Sequence, residues 1–316
     1  MPLPTDEKLL ALSQELLNQF DAIFGLNPGF RPAHAKGTLL TGTFTPSANA
    51  ALLTRAPHVV SASTPVTVRF SDSSGIPLIP DTDPNANPHG CAIRFNLAPH
   101  VHTDIIAHSV DGFPTTTGQE FLEFLHALAT SDPKNPGGSP LEAFLGTHPK
   151  ALAFVQAPKP SPSSFARENY FGVTAMQFTN KDGVSKFGRY RIVPEAGVEH
   201  LDDAAVAKMS ANFLFDELAA RVAKGPIKLK ILVQLANAGD IVDDATVHWP
   251  DDRIQFDLGT ISLTAPVPDS DHEQKQVIFD PIPRVDGIAP SADPLLEVRA
   301  AVYLMSGRRR RAAPEI

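Results

Sequence analysis

The sequence of 316 residues holds one cysteine, Cys91. A lone thiol excludes an internal disulfide framework, a Cys-rich zinc site and an all-Cys iron–sulfur cluster, so a metal would need His, Tyr, a carboxylate or a cofactor to hold it. Positive charge is also short. The 27 Lys and Arg stand against 35 Asp and Glu, a formal charge of -8, which gives no general attraction to nucleic acid or to an anionic membrane. No run approaches the ~18 apolar residues of a membrane span, and Met1 to Asp6 shows no basic segment leading into an apolar one. The expectation is a cytoplasmic protein with no nucleic-acid partner and no integral membrane span. Missing too are a G-x-S-x-G elbow, a P-loop and a G-x-G-x-x-G after a strand, so hydrolase and nucleotide-binding readings find no support. No repeat of ~20–50 residues is visible.

What the chain does have is 42% hydrophobic residues, 19 Phe and 30 Pro. That hydrophobic share excludes disorder for the bulk of the chain. Proline at about twice its usual share of roughly 5% cuts the chain into short elements and argues against a long helical bundle. Leu9, Leu12, Leu16, Phe20 and Ile23 predict an amphipathic helix over Thr5–Phe24, with Thr5 as N-cap and Gly25 as stop. Strands are expected at Gly37–Phe44, around Val66, Val68 and Phe70, at Cys91–Leu97 and at Asp104–Ser109. Phe121, Phe124, Leu125 and Leu128 give Phe113–Leu128 a helical spacing, and loops at Asp132–Pro140 and Pro158–Ser164 surround a short helix. The turn Asn180–Gly183 between Thr174–Thr179 and Ser185–Val193 reads as a hairpin. A helix around Asp203–Val222 then precedes a strand at Ile227–Leu235. Asp251–Pro283 reads as irregular, with short strand candidates. The final helix starts at Asp293, with Pro294 in its first turn and Gly307 just past its end. The composition never shifts sharply, so a single α+β domain is expected.

Several residues could carry chemistry. His34 lies in a cationic stretch, Arg31 to Gly37, either a site or a basic surface loop. Arg69 and Ser71 project from one polar strand face. Arg299 and Tyr303 stand at i, i+4, where a guanidinium stabilises a phenolate, a recognised haem ligand; alternatively the Tyr packs in the core and the Arg meets a carboxylate such as Asp293. His100, His102 and His108 could bind a mononuclear metal in a cupin-like barrel, or form a solvated His-rich turn. The run Arg308–Arg311 suits a solvated helix end or an anionic cofactor group.

In order, and over nearly the whole chain, these segments resemble the haem catalase superfamily. Arg31–Gly37 is similar to the segment of the distal His, Val68–Ser71 (VRFS) to the next, and His89–Phe95 (HGCAIRF) to the strand after it. Asp104–Ser109 with Phe113, Phe121 and Phe124 resembles the distal Asn strand and its aromatic wall. Thr246–Pro250 and Gln276–Ser291 resemble the late wrapping segment, and Asp293, Arg299 and Tyr303 the proximal helix.

The resemblance implies a catalase-like antiparallel β-barrel with surrounding helices and a C-terminal proximal haem helix: residues 1–28 an N-terminal helix, 29–250 barrel and inserted helices, 251–316 wrapping segment and proximal helix. It implies haem b, with iron bound by Tyr303 and Arg299 keeping that Tyr a phenolate. Arg31, Arg69 and Arg310 would pair with propionates, Arg310 being the member of its run at the family spacing, and Phe121 would line the cofactor. His34, oriented by Ser71, would move the peroxide proton. His108 stands where catalases carry Asn, and Cys91 where they place a Phe beside the haem. The family's His on a later strand has no clear counterpart in Lys186–Ile192, where Arg191 is the substitute on offer.

The chain is shorter at both ends than full-length catalases and in this resembles the short catalase-related peroxidases. A shorter wrap favours access by organic reductants or lipid hydroperoxides. The implied activity is reduction of hydrogen peroxide or organic hydroperoxides by an organic donor, with weak catalase activity. Alternatives are a fatty-acid hydroperoxide-rearranging enzyme of allene-oxide-synthase type, or a non-catalytic haem- or lipid-binding barrel. Self-association into a homo-oligomer stays open.

Overall fold

The computed structural model describes residues 3–132, 134 and 137–314; of the Asp132–Pro140 loop, Pro133, Asn135 and Pro136 therefore lie outside the described residues. Among the described residues twelve strands run in chain order: β1 (Gly37–Pro46), β2 (Thr64–Ser71), β3 (Gly90–Ala98), β4 (Val101–His108), β5 (Ser161–Pro162), β6 (Tyr170–Phe171), β7 (Met176–Thr179), β8 (Ser185–Pro194), β9 (His200–Leu201), β10 (Ile227–Leu235), β11 (Gln255–Pro266) and β12 (Ile288–Pro290). Eight of them close an antiparallel barrel in the order β1-β2-β3-β4-β6-β8-β10-β11, with β11 returning to β1, while β7 and β12 extend from β8. Closure leaves these eight strands no free edge.

Inward-facing Phe44, Val66, Val68, Phe70, Ile93, Phe95, Ile231, Val233, Ile261 and Leu263 fill the barrel as one buried cluster. The interior is a packed core, so a ligand site has to lie outside it. A second apolar cluster joins the N-terminal helix Glu7–Phe24, the helix Gly118–Thr130 and the C-terminal helix Leu295–Ala312 through Leu16, Leu17, Phe124, Leu125, Val298 and Val302. These three helices and the outer face of β2–β4 line one cavity. No described helix is long and apolar enough to cross a membrane.

The structure departs from the sequence reading at several ends. Asp6, not Thr5, caps the first helix by accepting from the Lys8 and Leu9 N–H groups. Gly307 lies inside the last helix, buried against Ile278, where an added Cβ would come within 2.3 Å of that side chain. It is there for close packing, and the helix runs on to Ala312. The segment read as irregular, Asp251–Pro283, contains the 12-residue β11 and the helix Ser270–Gln276. The barrel thus draws its last strand from beyond position 250. Bulges hid that strand: the register shifts opposite Ile231/Leu232 and Thr41/Gly42, which breaks the two-residue alternation of Leu258, Ile261 and Leu263. The region around Asp203–Val222 forms two helices, Asp203–Val206 and Phe213–Lys224.

Candidate active site

Alternation along three adjacent strands builds one wall of a cavity. While Val68, Phe70, Cys91, Ile93, Ile105 and Ala107 turn into the barrel core, Arg69 and Ser71 of β2, Gly90 and Ala92 of β3, and Ile106 and His108 of β4 line a cavity of about 380 Å³ outside it. That volume lies within the ~300–1,000 Å³ of ordinary small-molecule sites. Phe20, Phe113, Phe121, Phe124 and Leu125 supply an apolar wall, and Val298, Arg299, Val302, Tyr303 and Arg310 of the C-terminal helix face it. The Phe121 ring packs 4.9 Å from that of Phe113 and 6.1 Å from that of Phe20, centroid to centroid.

His34 enters from the segment before β1 with φ 56, a left-handed conformation rare outside glycine. Its N–H donates to the Ser73 carbonyl at 2.8 Å, and its ring Nδ1 lies 3.1 Å from Ser71 Oγ. Burial, then the nearby positive charge of Arg69, lowers its pKa to about 3, so the ring is neutral. What surface it keeps faces the cavity. Gly90 makes the approach feasible: an added Cβ would stand 2.6 Å from Ser71 Oγ and 2.9 Å from His34 Nδ1. His108, across the β3–β4 rung from Gly90, is also held neutral, its pKa lowered to about 4 by burial and then by Arg299. The Val110 N–H approaches its Nδ1 at 3.4 Å, which leaves the ring proton to Nε2.

At one end of the cavity three arginines converge. Arg31 donates to the Val277 carbonyl at 3.0 Å. Arg69 donates to Gln274 Oε1 at 2.8 Å and to the His34 carbonyl at 2.9 Å. Arg310 donates to Ser306 Oγ at 3.0 Å and, like Arg31, to the Val277 carbonyl. Among the described residues, none of the three forms an ion pair with a carboxylate, and Arg310 Nε has no partner at all. Burial, followed by repulsion from Arg310, lowers Arg69 to about 9; burial and the adjacent Arg311 and Arg309 lower Arg310 to about 10. Arg31 falls well below its ordinary value for the same reasons, with Tyr303 opposing the fall.

On the helix wall, Arg299 Nη2 reaches Tyr303 OH at 3.4 Å. The alternative partner, Asp293, uses one carboxylate oxygen to cap the Leu295 N–H at 2.9 Å, and its other oxygen has no partner. Of the arginine run, Arg308 is exposed, Arg309 pairs with Asp21, and Arg311 donates to the Gln276 carbonyl; only Arg310 reaches the cavity.

Every other candidate lies elsewhere. His100 sits in the β3–β4 turn at φ 62, and His102 points its Nδ1 at Asp104 Oδ1, 3.2 Å away. They do not join His108, and no group of three or more His, Cys, Asp or Glu among the described residues is arranged to hold a metal ion. The cupin-like arrangement therefore fails, because His102 and His108 stand at opposite ends of β4 and His100 lies in the turn before it. The Cys91 side chain packs in the barrel core, where burial raises its pKa. Arg191 is engaged with Asp111 and Gln234 and does not line the cavity. Sequence reasoning missed Gln274 and Val277, which hold the arginines, because they fall in the stretch read as irregular. It also missed Gly90, whose only signal was its place next to the Ser71 strand.

A family model described as Catalase matches residues 28–315. The chain is 36% identical over 292 residues to a catalase-related peroxidase of Mycolicibacterium paratuberculosis, covering 90% of each. It is 33% identical over 300 residues to a catalase-related peroxidase of Synechococcus elongatus, covering 94% of this chain and 88% of that one. Solved fungal and bacterial catalases superpose with TM-scores of 0.79 and 0.78 at 21% and 23% identity, over 98% of this chain. The chain spans 64% and 62% of the length of those two structures, and at that identity the likeness concerns the fold. The family match across both the barrel and the C-terminal helix, with the two peroxidase relatives, means that this chain belongs to the catalase family.

Proposed function

We propose that this chain is a haem-dependent peroxidase that reduces hydrogen peroxide or an organic hydroperoxide at the expense of an organic donor, with weak catalase activity at the same site. Members of its family are oxidoreductases acting on peroxide. The observation that carries the reading is the cluster of Arg31, Arg69 and Arg310. Three guanidiniums without a carboxylate, two buried and that of Arg31 partly so, are costly unless an anionic group completes them, and the propionates of haem b are such groups. The apolar walls, with Phe121, suit a flat macrocycle. Tyr303 would supply its phenolic oxygen to the iron, with Arg299 Nη2 3.4 Å from that oxygen. The residues present therefore fit the group.

Haem bound here supplies the exchange of electrons with peroxide and with the donor. The protein's own part is proton transfer. With Nδ1 carrying the ring hydrogen and donating it to Ser71 Oγ, His34 presents a bare Nε2 that takes the proton from one peroxide oxygen and delivers it to the other. Its low pKa keeps that nitrogen free throughout the neutral range. His108 Nε2–H offers a hydrogen bond to the peroxide where catalases use Asn. The apolar walls exclude water that would compete for that proton.

The test is the absorption spectrum of the purified protein with and without peroxide, repeated on Tyr303→Phe. A haem band that responds to peroxide, and that shifts in the variant, is expected. A protein that takes up no haem refutes the function, and an unchanged ferric spectrum in Tyr303→Phe refutes the ligand.

A further inference from the structure

Directly behind the contact between His34 and Ser71 lies a second buried pair. Asp72 and His89 are both fully enclosed, with His89 Nδ1 3.1 Å from Asp72 Oδ1. Each sits one position beyond Ser71↔Gly90, the last rung between β2 and β3. Neighbouring side chains on a strand take opposite faces, so this pair turns to the barrel side while Ser71 turns to the cavity. The row continues into the next strand: the His89 N–H donates to Ser109 Oγ at 3.0 Å, and the Ser109 N–H donates to the His89 carbonyl at 2.9 Å. One buried row thus ties together the ends of β2, β3 and β4 at the point where they present Ser71, Gly90 and His108 to the cavity.

The same segment holds His34 from its other side. Ser73, next to Asp72, accepts the His34 N–H, and the Asp72 N–H donates to the Lys36 carbonyl at 3.1 Å. His34 needs such a clamp, because a left-handed non-glycine residue persists only where its surroundings impose the conformation.

We propose that Asp72 and His89 are positioning residues for proton transfer at His34, fixing the strand ends and the charge arrangement that keep its imidazole oriented and ready to accept. This inference rests on the reading of His34 as the proton acceptor. The groups facing His89 are Asp72, Glu168 and His34, with Lys36 3.7 Å from the other oxygen of Asp72. Those facing His34 are Arg69, His108 and His89, each of which disfavours a second positive charge there.

The experiment measures the association of hydrogen cyanide with the holoenzyme across the acid range, in the parent, His89→Gln and Asp72→Asn. Hydrogen cyanide gives up a proton as it binds, so its rate reads His34 without turnover. The expected result is a loss of about tenfold or more in both variants, part of the ~100-fold or greater effect of a positioned base. In His89→Gln, losing a neighbour that lowers the His34 pKa moves the acid inflection to higher pH, and the resting ferric spectrum keeps the parent form. A parent-like rate in either variant overturns the inference, as does an unmoved inflection in His89→Gln. Failure of both variants to fold or to hold haem overturns it too, since the pair is then a core element alone. His34→Ala separates the two claims. If it keeps the parent rate, the proton-acceptor reading itself falls; if it alone loses rate, only the positioning role falls.

Discussion

His58 provides a measurement of what burial costs away from the active site. Its side chain is 1% exposed, its ring lies 4.3 Å from that of Phe95 and 5.9 Å from that of Phe44, and neither ring nitrogen has a partner. Burial lowers its pKa from 6.5 to about 4. Between those values the unfolded chain carries a proton that the folded chain refuses. Stability is therefore complete above about pH 6.5, is lost as pH falls toward 4, and changes no further below that. At ~1.4 kcal/mol per pH unit, the loss is about 2 kcal/mol at pH 5 and about 3 kcal/mol at pH 4. His34 and His108 add to the same acid limb in the haem-free chain, each by the same logic. In His58→Leu the proton site is gone and the apolar contacts with Phe44 and Phe95 remain. Urea unfolding at pH 8 and pH 5 should show the parent losing about 2 kcal/mol more than the variant between the two conditions. Equal losses in parent and variant would refute the reasoning.

Other perturbations act on the cavity itself. Gly90→Ala drives a methyl group into the contact between Ser71 Oγ and His34 Nδ1; the folded protein should keep its haem and lose about a hundredfold in the first reaction with peroxide, measured by stopped flow. His108→Asn restores the family's amide donor, so oxygen release relative to dye oxidation should rise several-fold, and an unchanged ratio argues against His108 as the cause of weak catalase activity. Gln274→Glu gives Arg69 a carboxylate in place of the amide oxygen it now contacts at 2.8 Å. The haem-free chain should melt higher, and haem should pass faster to a scavenging apoprotein.

Much of this was legible in the sequence because periodicity carries strands and helices directly. The alternation of Val66, Val68 and Phe70 with Arg69 and Ser71 places the two polar residues on one face, which in the structure lines the cavity while the apolar face fills the core. The i, i+4 relation of Arg299 and Tyr303 also held in the helix. Where the reading failed, a local rule had been overridden. Two bulges interrupt the alternation of β11, and Gly307, which reads as a stop, is a contact surface for Ile278. No local signal could have revealed the Asp72–His89 pair or the hold of Gln274 on Arg69, because each joins residues distant in the chain.

The choice of partners around the arginines separates a binding site from ordinary buried polarity. Arg94 and Arg309 lie close by and are neutralised within the chain, Arg94 by two bonds to Asp104 and Arg309 by Asp21. Arg31, Arg69 and Arg310 donate instead to a glutamine amide, a serine hydroxyl and backbone carbonyls, and Arg310 Nε to no partner among the described residues. Neutral acceptors hold the guanidiniums in place and leave their charge uncancelled. A core selected for stability alone would bury carboxylates beside them or replace all three with apolar residues, since an unpaired buried charge is among the most expensive groups a fold can carry. The segment Gln274–Val277 does neither. It fixes the direction of the three cations and defers their neutralisation to a bound anion, so the binding of that anion must stabilise the fold by the energy that the empty cluster withholds.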